Sequence, residues 1–411
     1  MKPARIHVDT ETRTARGVEG RFYVDDCIAR MQALIETHAG GIKLIYMDPP
    51  YLTGDKFMMR LRIGEKGWKT GSRMHVVSFT DYKDLGQYMD MMRRSLALCR
   101  ELLSEDGMIF VHIDYRAHPH VRLLMDELFG EDNFLNEIIW VYQTGGRSVR
   151  HFSRKHDVIL FYRKSPQYDF NIDAVKAVPA APRDNHMRRH VDPDGRVYRS
   201  IRVGDKVYTY YDDEPVAPSD VWTDLSHLQQ RDPERTGYDT QKPLALLNRI
   251  VRCASRPGEW VLDPFAGSGT TLEAALRNER RFIGIDCQPM TANIVRRRLG
   301  GANLEIIGAE EGQGIEPLCE AEVYPGVGFY HVQLNRFEVD IPGLPEDALP
   351  LDGVDNWSVG YVREGRYEVM DDGMRTRRHG ALKPELRAPA YSGQLAMCVS
   401  DVLGRSWYYA L

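Results

Sequence analysis

Short apolar runs alternate with amphipathic segments along roughly the first 300 residues of the chain. Each run has the length of one strand and is mostly apolar, without a regular polar alternation, which is typical of a strand buried on both faces of a sheet. These runs are residues 43–47, 108–114, 137–141 and 157–162. Segments 85–103 and 119–128 instead repeat apolar side chains at helical spacing. The alternation predicts an α/β fold with a mostly parallel sheet and helices on both faces.

A glycine turn joins a further strand, residues 259–262, to a helix. The turn carries Asp263, Pro264, Phe265, Ala266, Gly267, Ser268, Gly269, Thr270 and Thr271. Because glycine lacks a Cβ, the backbone can turn sharply there, and the helix N-terminus offers N–H groups to a polar ligand. The next strand ends in Asp286, 19 residues after Gly267, which suits a carboxylate that bonds both hydroxyls of a ribose.

The glycine turn alone leaves its ligand open. No Lys-Ser/Thr pair follows the glycines, so a phosphate loop is disfavoured, and the third glycine of the dinucleotide fingerprint is missing. A turn without any ligand remains an alternative. On the residues alone, the segment predicts a nucleoside-binding βαβ unit.

A second motif follows the apolar strand 43–47. Asp48-Pro49-Pro50-Tyr51 ends this strand with two prolines, each of which fixes φ and removes a hydrogen-bond donor. The turn is therefore stiff, and it presents an acceptor, Asp48, beside an aromatic face, Tyr51. This is unusual chemistry for a turn that only ends a strand.

Together, Asp48-Pro49-Pro50-Tyr51 and Phe265-Ala266-Gly267-Ser268-Gly269 resemble the motifs of the amino-group DNA methyltransferases that use S-adenosylmethionine. The catalytic motif precedes the cofactor motif, as in the circularly permuted beta class, which includes the modification subunits of type III restriction systems. The resemblance covers roughly residues 20 to 300. It implies a Rossmann-like core of seven strands, double-stranded DNA as substrate and S-adenosyl-L-methionine as cofactor.

The resemblance also assigns roles to residues. The catalytic group would be Asp48, Pro49, Pro50 and Tyr51. The cofactor would be bound by Asp26, Gln241, Lys242, Pro243, Asp263, Phe265, Ala266, Gly267, Ser268, Gly269, Thr270, Thr271 and Asp286. Asp26 would bind the adenine amino group of the cofactor, but its neighbour Asp25 is a rival, and either acid could serve only as a helix cap.

The chemistry of these residues suits an exocyclic amino group, which is a poor nucleophile because its lone pair is delocalised into the ring. The Asp48 carboxylate and the Pro49 carbonyl can accept its hydrogens and stabilise the positive charge that develops on nitrogen. Tyr51 can stack on a base that has left the duplex. Methylation of cytosine C5 is disfavoured, since no Pro-Cys dipeptide is present. By resemblance, Asp48 favours adenine N6 over cytosine N4, whose enzymes tend to carry Ser there.

The pattern predicts four regions: a catalytic half (1–141), a target-recognition insertion that includes one core strand (142–235), a cofactor-binding half (236–305) and a β-rich appendage (306–411). Residues 1–20 are expected to form an arm or an edge strand, and residues 52–78 a mobile loop over the catalytic face. The insertion combines tyrosines with basic residues, of which Arg183, Arg188, Arg189 and Arg196 are candidate DNA contacts. A solvated insertion is the alternative.

Composition narrows the remaining choices. The net charge of −5 excludes a wholly cationic surface, so DNA binding must come from local basic patches. The six cysteines form no Cys-x-x-Cys pair, which argues against a metal site and favours a reducing cytoplasm. No signal peptide or membrane span is expected. The candidate partners are a second copy of the chain, in a homodimer, and a restriction subunit. The alternative functions are a catalytically silent DNA-binding subunit and a methyltransferase that acts on RNA or protein.

Overall fold

The structure is a computed structural model that describes residues 2–15, 17–70, 73–142, 148–178, 186–308, 312, 314–376 and 379–411. The helices are α1 (Cys27–His38), α2 (Gly64–Thr70), α3 (Leu85–Leu102), α4 (His118–Phe129), α5 (Leu244–Ala254), α6 (Thr270–Arg277) and α7 (Pro289–Leu299). The strands of the first half are β1 (Ala4–Ile6), β2 (Thr10–Arg13), β3 (Glu19–Val24), β4 (Ile42–Met47), β5 (Lys56–Leu61), β6 (Met74–Thr80), β7 (Leu103–Ile113), β8 (Phe134–Val141), β9 (His156–Arg163), β10 (Arg188–Val191), β11 (Val197–Val203) and β12 (Lys206–Tyr211). The remaining strands are β13 (Val221–Trp222), β14 (Trp260–Asp263), β15 (Arg281–Asp286), β16 (Asn303–Ile307), β17 (Leu318–Pro325), β18 (Phe329–Glu338), β19 (Val354–Arg363), β20 (Arg366–Met374), β21 (Glu385–Pro389), β22 (Gln394–Asp401) and β23 (Ser406–Ala410).

Seven strands form the predicted core sheet, in the order β3-β15-β14-β4-β7-β9-β8. The first five are mutually parallel, and β9 runs antiparallel to both of its neighbours. Every residue of β4 is buried, as the continuous apolar run predicts for a strand covered on both faces. One face packs on α5 and α6 and the other on α1, α3 and α4. The α/β fold class is confirmed.

The sheet continues beyond the core into the C-terminal region. After β3 come β16, β2, β20, β19, β22, β23 and β1, and β13 pairs with β8 at the opposite edge, which makes a single sheet of fifteen strands. The expected β-rich C-terminal region is present, and a second sheet, β17-β18-β21, packs on it around Trp357, Trp407 and Phe337. The N-terminal segment is an edge strand only at β1, since β2 lies inside the sheet between β16 and β20. The region boundaries stay predictions.

A buried ionic cluster joins β2, α7 and the C-terminal strands. Glu11 and Arg296 are almost fully buried and lie 2.7 Å apart, and Arg13 contacts Glu11 at 2.9 Å. Burial alone would raise the pKa of Glu11, but Arg296 and Arg13 outweigh it and lower that pKa to about 2. The Glu11 carboxylate therefore stays ionised, and the two arginines offset its charge at the point where β2, α7 and the C-terminal strands meet.

Residues 52–78 are expected from the sequence to form a mobile loop, and the prediction that this segment is a loop is wrong. This segment forms the hairpin β5–β6 with α2 between its strands. Alternating apolar residues on the hairpin, including Met59, pack against Tyr238, Ile341 and Val402, and Arg60 pairs with Asp239 at 3.0 Å. Phe57 of this segment, and Phe79 and Thr80 just after it, line the cavity described next, so the hairpin lies against that cavity. Contacts distant in sequence decide this local fold, so the local pattern could not predict it.

Candidate active site

One cavity of about 900 Å³ lies at the carboxyl ends of four adjacent parallel strands. Asp26, Asp48, Asp263 and Asp286 lie at or just beyond the ends of β3, β4, β14 and β15, and all four line this cavity. Parallel strands end at the same edge of a sheet, where open α/β folds bind their ligands. Two motifs that are far apart in sequence therefore meet at one site.

Most of the predicted site residues line the cavity. They are Asp26, Asp48, Pro49, Pro50, Tyr51, Gln241, Lys242, Asp263, Phe265, Ala266, Gly267, Ser268, Thr270, Thr271 and Asp286. Pro243 and Gly269 are not among the lining residues: Pro243 precedes α5 directly, and Gly269 caps α6 with φ 73°. These two shape the backbone of the site rather than its surface.

The glycine turn and Asp286 are hydrogen-bonded to each other. The Gly267 N–H donates to Asp286 Oδ2 at 2.8 Å, and the Gln288 N–H donates to Oδ1 at 2.9 Å. Gly267 has φ 49°, and a Cβ there would lie 3.0 Å from the Tyr238 ring, so glycine is required. Burial raises the pKa of Asp286 to about 6, against the effect of these two donors.

Asp263 holds the start of the same turn. Its carboxylate accepts hydrogen bonds from the Phe265 N–H at 3.0 Å and from the Thr271 hydroxyl at 2.5 Å. Burial raises the pKa of Asp263 to about 7. The side chain therefore ties β14 to the first turn of α6, and its cofactor role stays a prediction.

The ambiguity between Asp25 and Asp26 is reduced by their positions. Asp26 lines the cavity and caps α1, accepting from the Ala29 N–H at 2.9 Å through Oδ1. Asp25 instead pairs with Arg30 at 2.6 Å. Geometry thus favours Asp26 as the residue that meets a ligand, although it also serves as the helix cap.

The Asp48 carboxylate is held at both oxygens. The Tyr51 hydroxyl donates to Oδ1 at 2.7 Å, and the Lys242 ammonium contacts Oδ2 at 2.5 Å. Burial and the nearby Asp48 charge raise the pKa of Tyr51 well above its ordinary value, so the phenol stays protonated and donates. Lys242 also lies 5.2 Å from the centre of the Tyr51 ring. Sequence reasoning placed Lys242 only at the cofactor, and no local signal could link residues 194 positions apart.

Asp81 is a buried carboxylate that sequence reasoning missed. It accepts hydrogen bonds from the N–H groups of Tyr51, Leu52 and Thr53, at 3.1, 3.1 and 2.8 Å, and from the Thr53 hydroxyl at 2.8 Å. Its own N–H donates to the Asp55 carbonyl at 2.9 Å. One side chain therefore fixes the backbone after the catalytic motif and closes the base of the β5–β6 hairpin.

A buried polar network lies behind Tyr51. His112 contacts the Tyr46 hydroxyl at 2.8 Å through Nδ1 and Asp157 at 3.3 Å through Nε2, and Tyr142 donates to Asp157 at 3.1 Å. The His112 and Tyr51 rings lie 6.2 Å apart. His112 is thus buried in a polar network beside the turn that carries Tyr51.

The candidate DNA-binding arginines of the insertion differ in exposure and in ion pairing. Arg183 lies outside the described residues, Arg188 and Arg189 are exposed on β10, and Arg196 pairs with Asp213 at 2.7 Å. Strands β10–β12 form a separate antiparallel sheet. The pairing register places Arg188, Arg202 and Lys206 towards one end of this sheet and the acidic residues 192 and 212–214 at the other. The basic end, rather than Arg196, carries the cationic surface.

Within the part of the chain that the structure describes, no group of His, Cys, Asp or Glu side chains is arranged to hold a metal ion. Over the same residues, no helix combines the length and apolar character needed to cross a membrane.

The sequence model of the N6/N4 DNA methylase family matches residues 42–297, more than half of the chain. The chain therefore belongs to this family of amino-group DNA methyltransferases, whose methyl donor is S-adenosylmethionine. The fold, the glycine turn and the Asp48 motif agree with this membership.

Curated relatives are similar over most of the chain. The type II methyltransferase M.EcaI of Enterobacter cloacae is 30% identical over 67% of this chain and 68% of its own length. The DNA adenine methyltransferase YhdJ of Escherichia coli is 29% identical, over 64% and 78%. The Mod subunit of the Salmonella typhimurium type III enzyme StyLTI is 24% identical, over 70% and 56%. Among solved structures, the cytosine-N4-specific PvuII DNA methyltransferase has a TM-score of 0.46 at 15% identity, covering 73% of this chain and 98% of that one.

Proposed function

We propose that this protein transfers a methyl group from S-adenosylmethionine to the N6 amino group of a specific adenine in double-stranded DNA. The observation that carries the proposal is the cavity that joins Asp48 and Tyr51 to the glycine turn and Asp286. Its volume of about 900 Å³ is near the upper end of the range for ligand pockets, about 300–1,000 Å³. That volume suits a cofactor and a flipped base together.

The lining residues fit the cofactor. Asp286, anchored on the Gly267 N–H, would accept from both ribose hydroxyls, and Asp26, which also lines the cavity, would accept from the adenine amino group. Phe265 and Ala266 supply apolar surface beside them. When bound, S-adenosylmethionine supplies an activated sulfonium methyl group, so the protein has to align the reactants and exclude water.

Asp48 and Tyr51 would receive the target base. The adenine amino group would donate to Asp48 and to the Pro49 carbonyl, which stabilises positive charge on nitrogen as the new bond forms. Lys242 and Tyr51 hold the Asp48 carboxylate in place, so that little reorganisation is needed. Base flipping costs a few kcal/mol, and stacking on Tyr51 would offset about 1–3 kcal/mol of it.

Adenine is preferred over cytosine because aspartate stands at position 48, and similarity to the adenine methyltransferase YhdJ supports the same choice. Cytosine N4 is the second candidate, since both amino groups need the same acceptors. A silent DNA-binding subunit is disfavoured because Asp48, Tyr51 and the glycine turn are all intact. An RNA or protein substrate is disfavoured by the length of the insertion.

The partners follow from the same proposal. Double-stranded DNA would contact the exposed Arg188 and Arg189 on β10, with Arg183 beyond the described residues and Arg196 held by Asp213. A homodimer stays an expectation from the resemblance. Similarity to a type III Mod subunit supports a restriction subunit as a further partner. The expected compartment is the cytoplasm.

Nucleoside mass spectrometry tests the reaction directly. Unmethylated genomic DNA is incubated with the protein and S-adenosylmethionine, digested, and scored for methylated nucleosides. The expected product is N6-methyl-2′-deoxyadenosine. Sequencing of the methylated DNA then maps the recognition site. N4-methylcytosine would overturn the choice of base. RNA and peptide substrates are run in parallel, and methylation of either in preference to DNA would overturn the choice of polymer.

Cofactor affinity is expected to fall in acid because Asp286 must be ionised to accept from two hydroxyls. The pKa of Asp286 is about 6, so the ionised fraction falls by about tenfold for each pH unit below that value. Calorimetric titration of S-adenosylmethionine between pH 8 and pH 5 measures the dependence. Asp263 also titrates near this range, with a pKa of about 7. The Asp286→Asn variant separates the effects of the two carboxylates. It should bind S-adenosylmethionine weakly at every pH and lose the change in affinity near pH 6. An unchanged pH profile would contradict the assignment of Asp286 to the ribose.

A further inference from the structure

Residues 148–154, which lie between β8 and β9 in the chain, expose two apolar side chains almost completely. We call residues 148–154 the β8–β9 tip. Val149 and Phe152 are each 99% exposed; the next most exposed aromatic residue of the described chain is Tyr391 at 54%, whereas among the valines Val327 reaches 100%. A partner that covered these two neighbouring side chains would remove their apolar surface from water, which is favourable.

The tip is held by its own hydrogen bonds. The Ser148 N–H donates to the Ser153 hydroxyl at 3.2 Å, and the N–H groups of Arg150 and His151 both approach the Ser148 hydroxyl at 3.3 Å. His151 Nδ1 lies 2.9 Å from the Phe152 carbonyl. Serine side chains often close turns in this way. The local backbone therefore presents the two apolar side chains outward.

The topology places the tip at the catalytic edge of the sheet. Strand β9 is antiparallel to both β7 and β8, so the end of β8 and the start of β9 lie beside the carboxyl end of β7. Strand β4, which delivers Asp48, is the next strand beyond β7. Adjacent strands are about 4.8 Å apart, so β9 is about 10 Å from β4. The strand ends from which the tip emerges therefore lie two strands from the end of β4 that carries Asp48.

Two contacts tie the tip to the catalytic region. Arg154 lies 4.0 Å from the centre of the Tyr115 ring, just beyond the end of β7. At the base of the tip, Tyr142 donates to Asp157, which contacts His112 behind Tyr51. The residues of the tip are not among those that line the cavity. The tip is therefore placed to meet the part of a substrate that stays outside the cavity.

The charge of the tip fits a polyanion. Arg150 and His151 lie between Val149 and Phe152 in sequence, and Arg154 follows. Side chains that combine an apolar wedge with flanking cations are used by proteins that unstack a duplex, where the cations meet phosphate and the wedge enters the base stack. A protein partner would also cover apolar surface, but the proximity to Asp48 favours DNA.

We propose that Phe152 is a wedge that enters the duplex at the position left by the flipped target base, with Arg150 and Arg154 bound to flanking phosphates. This inference rests on the proposed function, because a vacated position exists only if the base is flipped into the cavity. Phe152 would stack on the neighbouring base pairs and hold the gap open. It acts on the opening step and has no contact with the reacting atoms.

A comparison of Phe152→Ala with the native protein tests the wedge. The substrates are a duplex with the mapped recognition site and the same duplex with an abasic site opposite the target base, whose opening needs less energy. Phe152→Ala should lose about 10–100-fold of kcat/KM on the paired duplex and recover to within about threefold of native on the abasic one. A duplex carrying 2-aminopurine at the target position should show a smaller rise in fluorescence with the variant. Phe152→Trp should behave as native.

The matched control is Phe329→Ala, since Phe329 is exposed on β18 in the C-terminal region. It should leave every rate unchanged. Phe152→Ala that keeps native kcat/KM on the paired duplex would overturn the wedge, and so would an equal loss on both substrates. In either case the native protein still methylates DNA, so the proposed function stands. A native protein that methylates neither duplex and leaves 2-aminopurine stacked would overturn both proposals.

Discussion

An Asp48→Asn protein should transfer methyl groups about a thousandfold more slowly than the native protein and bind S-adenosylmethionine with unchanged affinity. Asparagine keeps the shape and one acceptor, but it loses the charge that offsets the positive charge developing on the amino nitrogen. It also leaves the Lys242 ammonium, whose side chain is only 10% exposed, without its partner carboxylate. Single-turnover methylation measures the rate, and calorimetry measures cofactor binding.

Asp55→Asn is the matched control for Asp48→Asn. Asp55 is an exposed carboxylate four residues after Tyr51, so the variant changes charge near the site without touching the acceptor. It should keep native rates within about twofold. An Asp48→Asn protein within tenfold of the native rate would contradict the catalytic assignment. Loss of cofactor binding as well would indicate damage to the whole site rather than loss of one acceptor.

The elements that sequence predicted well are those whose signal is local. The continuous apolar run at 43–47 gave β4, and helical spacing over 85–103 gave α3 to within a residue at its end. The glycine turn and the Asp48 motif are also short, and the glycines or prolines in each one determine the local backbone conformation. Once both motifs are assigned to strand ends, the geometry of a parallel sheet brings them together.

What the sequence could not predict depends on pairings across long separations. The contact between Lys242 and Asp48 spans 194 residues, and that between Arg296 and Glu11 spans 285. Arg196 pairs with Asp213 at the open end of the β11–β12 hairpin, whereas Arg188 lies towards the other end of the small sheet. The composition shows both charges but not which of them meet.

The C-terminal strands support the active site through helix α7. Asn293 on this helix donates to the Asp401 carbonyl at 2.7 Å, and Arg297 pairs with Asp355. The helix begins just after Asp286, the predicted ribose ligand. The β5–β6 hairpin is held from the same side, since the Gly64 N–H donates to the Asp352 carbonyl at 3.1 Å. The region expected to be an appendage therefore packs against both the cofactor side and the catalytic side of the site.

Asp81→Asn should lower kcat by about a hundredfold with a change of less than about threefold in the KM for S-adenosylmethionine. The Asp81 carboxylate receives four hydrogen bonds from residues 51–53, and an amide would turn an NH₂ group towards some of these donors. Leu52 has φ 58°, a conformation that side chains other than glycine rarely adopt, so the turn relies on these bonds. Relaxation of the turn by about 1 Å would move Tyr51 and Asp48 away from the target base.

Steady-state kinetics with both substrates, together with cofactor calorimetry and thermal unfolding, separates positioning from general stability. Loss of charged hydrogen bonds should lower the free energy of unfolding by about 2–3 kcal/mol, which leaves a folded protein at assay temperature. Asp55→Asn again serves as the control, because Asp55 contacts Asp81 through its backbone carbonyl and not through its side chain. A kcat within threefold of native would show that Tyr51 and Asp48 keep their places without Asp81. A parallel loss of cofactor affinity would instead show that Asp81 stabilises the fold as a whole. The cofactor side of the cavity is built on β14 and β15, so it would be disturbed only if the whole edge of the sheet had loosened.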